Sequence, residues 1–215
     1  MTNNKINLPL VIIGGGGHAS VLVDILQQQK KNIVAVFSQG DAHKRKIFHD
    51  IRQCHHDEDI VQFDPDEIYL INGIGKLPHS ELRNRINENF LSRGYTFSKV
   101  ISTSACISDG AVYAEDVQIF PNCVIQTGVC IGRNCVINSG AIIEHDCKIG
   151  DHNFISPRAV LCGNVQTGAN VFIGAGAVII QNISIGDNVV IAAGAVITSN
   201  VESGRICYSP RAIVK

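Results

Sequence analysis

From Ile101 to Val196 apolar and polar positions recur with a period of six, and sixteen units follow one another without an insertion or a deletion. The first place in a unit is Ile or Leu in fourteen of them, Tyr113 and Thr167 being the exceptions, and the fifth is Ala, Val, Ile or Cys in all but one, where Asn153 stands. The fourth is Gly, Asn or Asp in thirteen units, and these residues best tolerate a left-handed backbone. A period of six fits neither an amphipathic helix nor a sandwich of hairpins. It fits short flat strands joined by tight turns and stacked coil on coil, a parallel β-helix. With three sides to a coil, residues eighteen apart stack in ladders, and the Ile row and the Ala/Val/Cys row fill a continuous aliphatic core.

The earlier part of the chain follows other periods, so residues 1–98 are expected to form a separate domain and residues 99–215 the β-helix with its tail. Leu10 to Ile13 is a short apolar run that meets four glycines, and His18 to Gln29 then carries Val21, Leu22, Ile25 and Leu26 at helical spacing. Ile33 to Phe37 and Glu67 to Ile71 read as two further strands, and Ser80 to Leu91 as a second helix stopped by Gly94. Alternation of this kind predicts a small α/β domain with a parallel sheet. Asp41 to Asp59, rich in charge and histidine, has no clear period and reads as loop or marginal helix.

Composition narrows the function classes. A net charge of −1 gives no general attraction to nucleic acid or to an anionic membrane. The apolar run Leu8 to Ile13 is too short for a signal or membrane-spanning segment, so the expected compartment is the cytoplasm. Cys123, Cys135 and Cys147 fall on the core-facing fifth position and read as small buried hydrophobes, and no CxxC spacing suggests zinc.

Two motifs carry chemistry. Gly14-Gly15-Gly16-Gly17-His18-Ala19 follows a strand and opens a helix, which aims backbone N–H groups and the positive helix end at one point suited to phosphate. It matches G-x-G-x-x-A, the dinucleotide fingerprint, but the second strand ends in Phe37-Ser38 where an acid should hold the ribose, and the domain has room for only half a doubly wound sheet. A mononucleotide or a nucleotide sugar fits better, and glycines serving only a tight turn remain an alternative. The second motif is Ile143-Glu144-His145-Asp146. His145 occupies the third place of its unit, on the way into a turn, and should point outward; an imidazole held by a carboxylate is a good general base near neutral pH. A solvated surface histidine is the competing reading, and Asp at a fourth position is expected for backbone reasons alone. His145 and His152 are the two histidines of the repeat region and lie on different sides of the coil, which speaks against a three-imidazole zinc centre.

The hexads resemble the hexapeptide-repeat acyltransferases, whose β-helices are left-handed and usually trimeric. The glycine turn ending in Gly-His, together with Asn138-Ser139-Gly140-Ala141-Ile142-Ile143-Glu144-His145-Asp146, resembles more narrowly the sialic-acid O-acetyltransferase (NeuD-like) family and its bacterial UDP-4-amino-sugar N-acetyltransferases of the bacillosamine pathway. That resemblance implies His145 as general base, Asp146 as its supporting acid and Asn138 as an active-site asparagine. It implies nucleotide-sugar contacts at Gly16, Gly17, His18, Phe37, Ser38 and Gly75, and acetyl-CoA in a groove between neighbouring β-helices lined by Gly163, Gly174, Ala175, Ala193 and Gly194. Phe154 stands where some relatives have a second histidine touching the cofactor, and Arg205, Arg211 and Lys215 are candidates for the CoA phosphates. The expected reaction is direct acetyl transfer without a metal in a homotrimer. O-acetylation of a sialic acid, a non-catalytic nucleotide-sugar scaffold and acyl transfer to a non-nucleotide acceptor such as serine are the alternatives.

Overall fold

The computed structural model describes residues 8–209, and the chain divides into two compact units after Val100. In the first unit a parallel sheet forms from β1 (Leu10–Ile13), β2 (Ile33–Phe37), β3 (Gln53–Cys54) and β4 (Tyr69–Asn72), in the order β3-β2-β1-β4. Helix α1 (Gly17–Gln28) buries Ala19, Leu22, Val23, Ile25 and Leu26; of the apolar residues its spacing singles out, Leu22, Ile25 and Leu26 face the core and Val21 is exposed. Helix α2 (Leu82–Ser92) follows β4, and Gly94 at φ 87° ends its last turn. Phe37, Phe90, Tyr95 and Phe97 supply the aromatic part of the core.

β3 corrects the reading of Asp41 to Asp59 as loop or helix. That segment holds short 3-10 turns at Ala42–Lys44 and Lys46–Phe48 and then a fourth strand. Two residues are too few to show a period, and the strand exists because Phe37 pairs with Cys54 along the free edge of β2. The last residues of the four strands, Cys54, Phe37, Ile13 and Asn72, consequently stand in one register row. The loops that leave that row share one edge of the sheet.

The second unit is a left-handed parallel β-helix built of two-residue strands. Each pairs with the strand one coil on, as Ile142–Ile143 does with Val160–Leu161, and the strands fall into three sheets of five, seven and six. The first-position isoleucines point inward, with Ile125, Ile143, Ile155 and Ile173 fully buried. The exceptional Asn153 is buried too, and its amide is satisfied: Nδ2 donates to the carbonyls of Gly150 and Gly168 at 2.7 and 2.8 Å, and Oδ1 accepts from Val171 N–H at 2.9 Å.

Left-handed corners run from Asn122 to Gly194 at every fourth position, His152 (φ 61°) and Arg158 (φ 58°) included, whereas Gly110 and Asp116 are not left-handed. Residue preference therefore does not decide the corner. A non-glycine residue gives up about 1–2 kcal/mol there, and the stack enforces it: His152 N–H donates to Arg133 O at 2.7 Å and its ring meets Asn134 Nδ2 at 3.0 Å in the coil below.

Cys123 and Cys147 lie in the core and donate S–H to carbonyls at Asn138 and Cys162. Burial pushes both thiols up to about 11. Their folded pKa exceeds the unfolded value, so the stability they contribute is complete below pH 9 and falls as pH rises toward 11, by up to about 1.4 kcal/mol per pH unit for each thiol. Urea unfolding at pH 8 to 11 should show this decline, and the Cys123→Ala/Cys147→Ala variant should decline less steeply. No helix among the described residues is long and apolar enough to cross a membrane.

Candidate active site

At the edge where the strand ends share a row, the first unit opens into a cavity of about 620 Å³. Gly16, Gly17, His18, Phe37, Ser38 and Gly75 all line it. α1 begins at this wall with Gly16 as its N-cap, no side-chain cap and no acid in the first turn, so its free N–H groups and positive end face the cavity unopposed. Gly15 is needed because Ser38 packs against it: a Cβ there would stand 2.8 Å from Ser38 Oγ and 2.8 Å from the Ala42 methyl. Gly75 packs on the other side, 3.4 Å from His18 Cβ by the same measure.

Several groups in or beside this wall escaped the sequence reading. Lys76, buried, lines the cavity one residue beyond the Ile74-Gly75 turn, where adjacency to that turn was the available signal. Arg45 Nη2 stands 3.8 Å from the place of a Cβ on Gly17, which adds a cation beside the helix end. Gln53 holds the exit of β2: its Nε2 donates to Ser38 O at 3.0 Å and Gly40 O at 2.7 Å, and its Oε1 accepts from Ala42 N–H at 3.1 Å. Asp57, after β3, also lines the cavity. None of these three shows in sequence, because each comes from the segment that has no period.

The β-helix carries the other candidates on two of its rows of corners. His145 and Asp146 follow the strand Ile142–Ile143 and Gly163 follows Val160–Leu161 one coil on, in the row of corners after the six-stranded sheet, while Asn138, Gly174, Ala175, Ala193 and Gly194 lie in the row before it. His145 Nδ1 and Asp146 Oδ2 are 2.8 Å apart. An ionised carboxylate only accepts, so Nδ1–H donates and the Nε2 lone pair is left free. Asp146 holds φ 63°, so one residue makes both the corner and the pair. Both side chains are more than half exposed, at 61% and 65%.

Glycines one coil away give this pair its space. A Cβ on Gly163 would stand 2.6 Å from Cε1 and from Nε2 of His145, and one on Gly128, below, would overlap Asp146 Oδ1. The ring therefore lies across the bare face of Gly163. Gly163→Ala should move the imidazole and lower turnover by about 100-fold, the order that a 1 Å misplacement costs, with little change in Tm because an exposed ring gives way easily. Steady-state kinetics beside thermal unfolding checks this.

Among the remaining candidates, Gly174 sits under Ala193, and a Cβ on it would stand 2.8 Å from Ala193 Cα, so the backbone there is closely stacked. Phe154 is buried and its ring stacks on Phe172, centroids 5.6 Å apart and planes at 5°. Arg205 pairs with Glu202 at 2.8 Å, and Arg211 and Lys215 lie outside the described residues. Among the described residues no group of three or more His, Cys, Asp or Glu side chains could hold a metal ion.

Residues 9–90 match the PglD N-terminal domain, and residues 114–145, 132–163 and 164–199 match the bacterial transferase hexapeptide repeat. Among solved structures, the chain is similar to perosamine N-acetyltransferase from Caulobacter crescentus, studied with CoA and GDP-perosamine, at 25% identity over 92% of each chain and a TM-score of 0.81. It is equally similar to the acetyltransferase domain of PglB from Neisseria gonorrhoeae in complex with acetyl coenzyme A, at 25% identity over 93% of this chain and 95% of that one, TM-score 0.82. WeeI from Acinetobacter baumannii shares the fold, with 22% identity over 92% and 95% of the two chains and a TM-score of 0.79. Among curated proteins none matches the sequence.

Proposed function

Since the chain belongs to the NeuD-like, PglD-type hexapeptide-repeat acetyltransferases, we propose that it transfers acetyl from acetyl-CoA to the amino group of a sugar carried on a nucleoside diphosphate, in the cytoplasm. The observation that carries this reading is His145, with Nδ1–H given to Asp146 and Nε2 free above Gly163. The uncharged sugar amine attacks the thioester carbonyl and Nε2 takes the proton it sheds. The tetrahedral intermediate collapses, the C–S bond breaks, and the proton passes to the CoA thiolate, leaving an amide and free CoA. Gly163 N–H, which donates to no acceptor among the described backbone bonds, is suited to receive the developing oxyanion. Asp146 fixes the tautomer and stabilises the imidazolium that forms.

The cavity of the first unit suits the nucleotide, with the open end of α1, Lys76 and Arg45 for the diphosphate. The NeuD-like resemblance names a UDP-4-amino-sugar of the bacillosamine type. A GDP-linked sugar is the second reading, favoured by the GDP-perosamine bound to the Caulobacter relative.

Assembly as a trimer completes the site. Cys106, Val124, Ile142, Val160, Val178 and Val196 form an aliphatic stripe on the outer face of the six-stranded sheet, and all six are at least partly exposed. The two candidate corners flank that stripe, so packing it against a neighbouring copy brings His145 of one chain toward Asn138 and the small-residue corner of another, and acetyl-CoA fits the groove between them. Free-thiol release from acetyl-CoA, followed over UDP- and GDP-linked 4-amino-sugars, their deaminated counterparts and sialic acid, tests the reading. Turnover should require the amine; turnover with sialic acid alone, or none with any nucleotide sugar, would overturn it.

A further inference from the structure

The end of β2 carries no acid, and the cavity takes one from the segment after β3. Asp57 lines the cavity as the first residue of a 3-10 helix, Asp57–Gln62, that follows β3; it is half-buried, and among the described residues its carboxylate meets no hydrogen-bond donor. Burial, and then Glu58 beside it, raise its pKa, with Arg93 opposing. A partly buried carboxylate without protein donors gains from a ligand that brings them.

Its position says which part of a nucleotide it meets. The strand ends Ile13, Phe37 and Cys54 stand in one row. Neighbouring strands lie about 4.8 Å apart, so the loop after β3 is about 10 Å from the glycine turn that suits the phosphates. The exit of β2, one strand away, lies within the reach of the ribose. The exit of β3, two strands away, lies where the hydrogen-bonding edge of the base arrives.

Resting on the nucleotide-sugar reading above, we propose that Asp57 recognises the nucleobase and that the base is guanine. An ionised carboxylate offers acceptors alone. Guanine presents two adjacent donors, N1–H and the 2-amino group, and both carboxylate oxygens are engaged at once. Uracil presents one N–H between two carbonyl oxygens, so one of these is set against the second carboxylate oxygen. Adenine and cytosine each pair one amino donor with a ring acceptor and meet the same mismatch. Gln53 supports the selection by clamping the carbonyls of Ser38 and Gly40, which keeps the opposite wall in place.

Calorimetric titration of the full chain with GDP and with UDP, at one ionic strength, tests this. GDP should bind about 10-fold or more tightly than UDP, as expected of a two-point base contact. Asp57→Asn, which keeps shape but puts a donor among donors, should weaken GDP by a similar factor and leave UDP within about twofold. UDP binding at least as tightly as GDP, or a GDP preference that survives Asp57→Asn, overturns the inference while leaving the nucleotide reading intact. Failure of both nucleotides to bind overturns the nucleotide reading and the inference with it.

Discussion

Replacing His145 by alanine is expected to lower kcat/KM for acetyl transfer by about 10²- to 10⁴-fold, the usual worth of a positioned general base. The fold should be unaffected, because the side chain is 61% exposed and spans no part of the core. Loss should appear mainly in kcat, since the base acts on a proton that moves only as the intermediate forms. Asp146→Asn separates the two duties of its position. Asparagine keeps a left-handed corner, as Asn164 and Asn182 do along the same edge, but it no longer offers a carboxylate to Nδ1–H or to the imidazolium. Its loss should therefore fall on turnover and spare Tm. Near wild-type CoA release by His145→Ala would remove the base from the proposal.

The second large effect is expected from Val160→Asp, in the middle of the aliphatic stripe. Burying an unpaired carboxylate against a neighbouring copy costs several kcal/mol, and each contact of a closed trimer would carry one. Light scattering should then give the mass of the single 23.2 kDa chain instead of a trimer, and on the proposed shared site acetyl transfer should be lost as well. Nucleotide binding should persist, since that cavity is lined entirely by residues of the first unit. A monomeric variant that still turns over would disprove the shared site.

The effect of Gly163→Ala belongs with these. The family resemblance implies Gly163 as a residue of the acetyl-CoA groove. In the coil stack its bare face is occupied by the ring of His145. Both roles are compatible, but the second is visible only once residues eighteen apart are placed one above the other.

The β-helix was legible because its rules are local: each unit must turn a corner and bury two apolar side chains, and those demands repeat sixteen times along a single line of sequence. The glycine turn was legible for the same reason, strand, turn and helix being neighbours in the chain. The corners at His152 and Arg158 were not, because neighbouring coils impose a backbone that those residues would not choose. Nor was β3, whose two residues become a strand only by completing the edge of β2. The sequence by itself determined the two architectures, the outward histidine and the glycine turn between strand and helix. The tertiary structure alone decided that Gly128 and Gly163 leave room for the acid and the base, that the candidates divide between two rows of corners, and that Asp57 lines the cavity. Space between side chains and distance across a sheet arise from stacking in directions along which the chain has no neighbours of its own.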